Sequence, residues 1–126
     1  MRVAAVISDL MLFSRIDHAA AEAGASLTRL DSPADLPDGD LDLVLVDWSA
    51  RDQDWTRQLV AWCARAPEAR MILFGRHTEL DAHADARSAG LGPMWARSRL
   101  IGELPSILGV PAKSNGSAGV RRSGSP

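Results

Sequence analysis

Two aspartates stand where this chain could do chemistry. Asp9 follows the apolar run Val3–Ile7, and Asp47 closes the run Leu41–Val46. If both runs are parallel strands, their carboxyl ends share one edge of a sheet, the edge at which open α/β folds gather ligands. Two carboxylates converging there can hold a hard divalent cation such as Mg²⁺. A carboxylate beside such a cation can act as a nucleophile toward phosphorus. A third run, Met71–Phe74, brings Gly75 to the same edge. The plainer reading is that Asp9 caps a helix and Asp47 merely ends a strand.

Other chemistry-bearing residues read as structural. His77, Asp81, His83 and Asp85 mimic a metal cluster, but on a helix Asp81 and Asp85 share a face while His83 points away from both. A solvated, mixed-charge face is the expectation there. Cys63 is the single cysteine, which excludes an intramolecular disulfide and a multi-thiolate metal site and suits a reducing cytosol. It shares helical spacing with Trp55, Leu59 and Trp62, so it is expected as a small buried hydrophobe, with Trp55 and Trp62 as packing residues. Trp48, next to Asp47 on a loop, is expected to be partly exposed. Trp95 suits either an interface or the core.

The elements that must position these groups follow from the apolar pattern. Val3–Ile7 and Met71–Phe74 are short continuous runs, and Leu41–Val46, broken only by Asp42, is the strongest signal of a strand covered on both faces. Ala25–Leu30 alternates, and Pro93–Ala96 makes a short fifth strand. Leu12, Ile16, Ala19, Ala20 and Ala23 form a helical stripe that Gly24 stops. Trp55–Ala66 is helical up to Pro67. Glu79–Ala89 is helical with a thin stripe, Leu80 and Ala84, and ends at Gly90. Leu100–Leu108 is amphipathic but interrupted by Pro105. Only Asp31–Asp40 connects the second strand to the third, enough for one helical turn with Ser32 as cap and Pro33 first. Strands alternating with helices imply a parallel sheet with right-handed crossovers.

Composition fits one soluble domain: 126 residues, 46% hydrophobic and 24% charged. Of 14 basic residues, all are Arg except Lys113. Residues 1–110 carry every one of the 16 acidic residues and 11 of the basic ones, a net −5, whereas Lys113, Arg121 and Arg122 make residues 111–126 basic. An acidic body argues against nucleic-acid binding. No apolar run reaches the roughly 20 residues of a membrane span, and Asp9 interrupts any signal-peptide core, so a cytoplasmic location is expected.

Over residues 1 to about 110 the sequence resembles the receiver domain of bacterial response regulators. Asp47-Trp48-Ser49 stands where that family has its phospho-accepting aspartate and the loop after it. The interval from Gly75 to Gly90 equals the family's interval between its hydroxyl residue and the glycine ending helix four. Arg97 falls at the family's lysine, with Ser98 in place of the following proline. Phe74–His77, Ala96-Arg97-Ser98 and Leu104-Pro105 are similar to a subgroup of small stand-alone receiver-like proteins. The departures are equally specific. The acidic pair is Ser8-Asp9, the hydroxyl position is Gly75, the aromatic switch position is Met94, and Ala50-Arg51 replaces a Met-Pro pair. Arg97 keeps the charge but exchanges a compact ammonium for a planar fork, and no lysine in residues 1–110 can stand in.

The resemblance implies an α/β, flavodoxin-like three-layer sandwich: five parallel strands in order 2-1-3-4-5, with helix two shortened. Residues 1–110 would form the receiver-like domain, and 111–126 a disordered Ser/Gly-rich tail. The implied function is a degenerate, stand-alone signalling module that is not an enzyme, needs no cofactor and works independently of phosphorylation. Asp47 would pair with Arg97, and a protein partner or second copy would dock on the helix four–strand five–helix five face, which presents His83, Arg87, Trp95 and Arg99. With no output domain following, its effect would pass through association. The alternative is a conventional receiver phosphorylated on Asp47 by a histidine kinase, with Mg²⁺ on Asp9 and Asp47. A further alternative is a small flavodoxin-like ligand-binding protein or enzyme, although Ser8-Asp9-Leu10-Met11 lacks the glycine that phosphate approach normally needs.

Overall fold

The computed structural model describes residues 1–76 and 78–109; His77 and the expected tail, 111–126, lie outside the described residues. In chain order the elements are β1 (Arg2–Val6), α1 (Leu10–Ala23), β2 (Ser26–Leu30), a 3-10 turn (Pro33–Asp35), β3 (Leu43–Asp47), a second 3-10 turn (Trp48–Ala50), α2 (Trp55–Arg65), β4 (Arg70–Gly75), α3 (Leu80–Ser88), β5 (Trp95–Ala96) and α4 (Arg97–Ile107). All strand pairs are parallel and the sheet order is β2-β1-β3-β4-β5. Fold class and strand order are those expected from the sequence.

Successive strand residues point to opposite faces, and the central strands are buried on both. Val3, Ala5, Leu43, Leu45, Ile72 and Phe74 join α1 and α4 in one core. Ala4, Val6, Val44, Val46 and Leu73 join Trp48, α2 and α3 in the other. α1 begins on the Asp9 cap and stops at Gly24, whose left-handed φ of 72° a side chain would strain. The short β2–β3 connection holds its one turn, with Ser32 Oγ accepting from the Ala34 N–H at 3.1 Å. It is tied to α2 by Trp62 Nε1 donating to the Pro37 carbonyl at 2.6 Å and by Arg65 to Asp38 at 3.3 Å.

Four local expectations are corrected. α3 buries Ala82 and Ala86, not Leu80 and Ala84, and Leu80 is 76% exposed. Ala82 and Ala86 share their core with the Trp48 ring and Met94. Trp48 is fully buried rather than partly exposed, because the turn after Asp47 folds its ring inward. β5 shrinks to two paired residues. α4 starts at Arg97 and runs through Pro105, which sits in the last turn and, lacking an N–H, forgoes a single bond to the Ile101 carbonyl.

Candidate functional site

Parallel strands bring the ends of β1, β3 and β4 together, and α4 starts immediately after the edge strand β5. This geometry, more than local sequence, gathers Asp9, Asp47, Gly75 and Arg97. Ser8 is exposed and stands apart from the polar contacts that follow.

Asp9 divides its carboxylate between two tasks. Oδ1 accepts the Met11 and Leu12 N–H groups, each at 3.1 Å, and so caps α1. Oδ2 accepts from Arg97 Nη1 at 3.2 Å. Asp47 is almost wholly buried, with a side chain 5% exposed, and its Oδ2 accepts from Arg97 Nη2 at 3.3 Å. Its Oδ1 is buried without a hydrogen-bond partner, as is Arg97 Nε. The pairing expected from the sequence therefore exists in a different form. The guanidinium does not grip Asp47 with both nitrogens; it straddles the two carboxylates, one Nη on each.

Two carboxylates against one guanidinium leave the cluster one negative charge in excess. Burial pushes the Asp47 carboxyl above its ordinary value; the Arg97 charge and the Ser49 backbone N–H oppose that rise, and the Asp9 charge adds to it. Asp9 moves the other way. The Leu12 N–H, with Met11 and Arg97, holds its carboxyl below the ordinary value against a smaller desolvation effect.

A divalent cation fits this donor set poorly. Both Oδ2 atoms already face Arg97 and Asp9 Oδ1 is spent on the helix cap, so Asp47 Oδ1 alone is uncommitted. Mg²⁺ demands a near-octahedral shell of oxygens. Among the described residues, no three His, Cys, Asp or Glu side chains come together as a metal group, which covers Asp81, His83 and Asp85. A nucleotide phosphate at the α1 N-terminus is opposed as well, since Asp9 already occupies the first-turn N–H groups with a negative charge. Beside the cluster, an open groove of about 920 Å³ runs between α1 and α4, lined by Leu10, Met11, Arg15, Ser98 and Ile101.

Around Gly75, a hydroxyl arrives from elsewhere. A Cβ built on Gly75 would collide with Ser49 Oγ and come within 3.1 Å of Met94 Sδ. Ser49 Oγ accepts from the Arg76 N–H at 3.0 Å and donates to Glu79 Oε1 at 2.6 Å. Sequence reasoning quoted Ser49 only as part of a loop and missed Glu79; the one available signal was the glycine itself, whose vacant volume some neighbour must fill.

The expected docking residues come from α3, β5 and α4. His83 is half-buried, while Arg87 and Arg99 are exposed. Trp95 is buried in the α1–α4 core, and Met94 in the opposite one. The Trp95 ring is roofed by Arg99 at 3.8 Å and approached by Arg70 at 5.8 Å, with Arg99 also held by Glu103 at 2.8 Å. What is presented at Trp95 is therefore guanidinium above indole rather than bare indole. Cys63 is half-buried near Met71, and its thiol is pushed up by desolvation, as suits a packing residue.

No protein-family model and no curated protein matches the chain. Solved structures do. The chain is similar to a response regulator receiver domain protein (CheY-like) from Methanospirillum hungatei JF-1, with TM-score 0.65, 16% identity, and coverage of 85% of this chain and 92% of that one. A response regulator from Thermotoga maritima matches with TM-score 0.63, 15% identity, and coverage of 85% and 96%. A response regulator receiver protein from Burkholderia phymatum matches with TM-score 0.61, 16% identity, and coverage of 88% and 97%. Likeness at such identity establishes a shared fold, the flavodoxin-like fold of receiver domains. Among the described residues, no helix is long and apolar enough to cross a membrane.

Proposed function

We propose that this receiver-fold chain is a signalling module that acts by docking on a protein partner or a second copy of itself, with Asp47 held by Arg97 rather than serving as a phospho-acceptor. One observation carries the reading: the Arg97 guanidinium bridges Asp9 and Asp47 at 3.2 and 3.3 Å. A tethered cation thus stands between the carboxylates and offsets one of their two charges without a metal. The docking face is the one formed by α3, β5 and α4, where Arg87 and Arg99 give a partner charge and shape to read. In this reading the chain performs no chemistry of its own and works in the cytoplasm.

A second reading has one observation in its favour. Asp47 Oδ1 is without a partner, as an acceptor awaiting a phosphoryl group would be. A histidine kinase would then be the partner and Mg²⁺ the cofactor.

One experiment separates them. The full chain is incubated with Mg²⁺ and beryllofluoride, and separately with acetyl phosphate, while tryptophan fluorescence and intact mass are followed. Trp48 is adjacent to Asp47 and buried, so its emission reports events there. The expected result is no mass gain and no Mg²⁺-dependent change. A phosphoryl adduct on the wild type that disappears in Asp47→Asn overturns the proposal and establishes the second reading. Sedimentation across a concentration series then tests self-association.

A further inference from the structure

The turn after Asp47 is bolted to α3 by three polar contacts. Ser49 Oγ donates to Glu79 Oε1 at 2.6 Å, Trp48 Nε1 donates to the Ala82 carbonyl at 2.9 Å, and Arg51 Nη2 meets Asp85 Oδ2 at 2.6 Å. Positions 79, 82 and 85 are spaced by three and form one stripe along the helix. The turn is itself stiff. The Trp48 ring is fully buried, Arg51 lies 5.3 Å from its centroid and donates to the Trp48 carbonyl at 3.3 Å, and Ser49 also receives the Arg76 N–H.

The apolar hold on α3 is slight by contrast. Ala82 and Ala86 are its only buried residues, and its partial burial elsewhere includes His83. Two methyl groups remove little apolar surface from water. The polar contacts from the 48–51 turn are consequently a large part of what fixes where the helix lies.

We infer that the 48–51 turn and α3 form a single positional unit, through which a change in the Asp47–Arg97 pair is passed to the outer face of α3 at Leu80, Ala84 and Arg87. Asp47 is covalently continuous with the turn, standing two residues before Ser49, and its carboxylate is held from the other side by Arg97. Loosening Arg97 therefore frees the residue from which the turn to Ser49 starts. Ser49 cannot shift without lengthening its bond to Glu79, at the start of α3. The route uses neither a side chain at Gly75 nor an aromatic ring at Met94, and it holds whether or not Asp47 ever takes a phosphoryl group.

The test uses the ¹⁵N-labelled full chain, with amide shifts and hydrogen exchange read residue by residue. Asp47→Asn is expected to move the amide signals of residues 80–88, including Ala84 and Arg87, and to speed their exchange severalfold. The double variant Ser49→Ala/Arg51→Ala cuts two of the three contacts and is expected to speed α3 exchange roughly tenfold by itself. On that background, Asp47→Asn should add much less in α3, where only the Trp48–Ala82 bond is left, while still perturbing Met11 and Leu12 beside Asp9. Arg97→Gln, which disturbs the same pair from its exposed side, must reproduce the pattern and replaces Asp47→Asn if that variant does not fold. The inference is overturned if either substitution leaves residues 80–88 unmoved, or if its effect there persists undiminished with the contacts cut.

Discussion

α3 and α4 flank the same two-residue strand and are held in opposite ways. α4 buries Leu100, Leu104 and Ile107 at i, i+4 and i+7, a full apolar stripe, and starts on the Arg97 bridge. α3 buries two alanines and hangs on Glu79, the Ala82 carbonyl and Asp85. Apolar burial depends on area and tolerates small displacements; hydrogen bonds fail within an ångström. One helix of the pair is thereby anchored, and the other is positioned by the turn that follows Asp47.

The contrast is most severely tested at its hinge. Trp48 belongs to the α2–α3 core yet also donates to α3, so Trp48→Ala should destabilise the whole fold by about 3–5 kcal/mol in urea denaturation. A loss below about 1 kcal/mol would show that the ring is dispensable and α3 self-supporting. Leu100→Ala should cost about 2–5 kcal/mol and weaken every region together, since it empties the α4 stripe. Gly75→Ala comes next. Its Cβ meets Ser49 Oγ, so it should cost about 1–3 kcal/mol, and Ser49→Gly in the same chain should recover most of that. Failure of the second substitution to rescue would mean that the collision is relieved elsewhere.

The two carboxylates give a pH test with opposite signs. Asp47 is raised when folded, so the native state binds its proton more tightly than the unfolded chain does. Stability from this group is lost as pH rises from the ordinary Asp range through the elevated value, and Asp47→Asn should flatten that limb. Asp9 is lowered, so its contribution is present above the ordinary range and lost as pH falls through the depressed value. Asp9→Asn should flatten that acid limb alone, as read from urea midpoints across pH 2 to about 7. Smallest of all in global terms, Arg51→Ala should cost about 0.5–1 kcal/mol, because Asp85 is more than half exposed, yet the loss should concentrate in α3 exchange.

Much of the scaffold was legible because its physics is local. Strands covered on both faces must be apolar along their buried length, and Val3–Ile7, Leu43–Val46 and Met71–Phe74 are. The single turn between β2 and β3 was forced by chain length. Asp9 and Asp47 could be brought together once parallel strand ends were assigned to one edge, and Arg97 joined them through the family resemblance. The phase of α3 could not be read so, because Leu80/Ala84 and Ala82/Ala86 both satisfy helical spacing and hydrophobicity favours the wrong pair. What decides between them is the bulk of Trp48, inside rather than outside, and that depends on how a turn of three residues folds. The Ser49–Glu79 bond spans 30 positions and leaves no periodic trace.

Asp9 is shared between the first turn of α1 and the first residue of α4, and that sharing acquires a direction during synthesis. The ribosome releases Asp9 and Asp47 well before Arg97. Until position 97 emerges, two carboxylates converge on the sheet edge with no cation between them, and Asp47 cannot be buried as an anion without penalty. α4 thus supplies, through its first residue, the counter-charge for carboxylates carried at the ends of β1 and β3. One arginine ties together electrostatically residues that were laid down long before it.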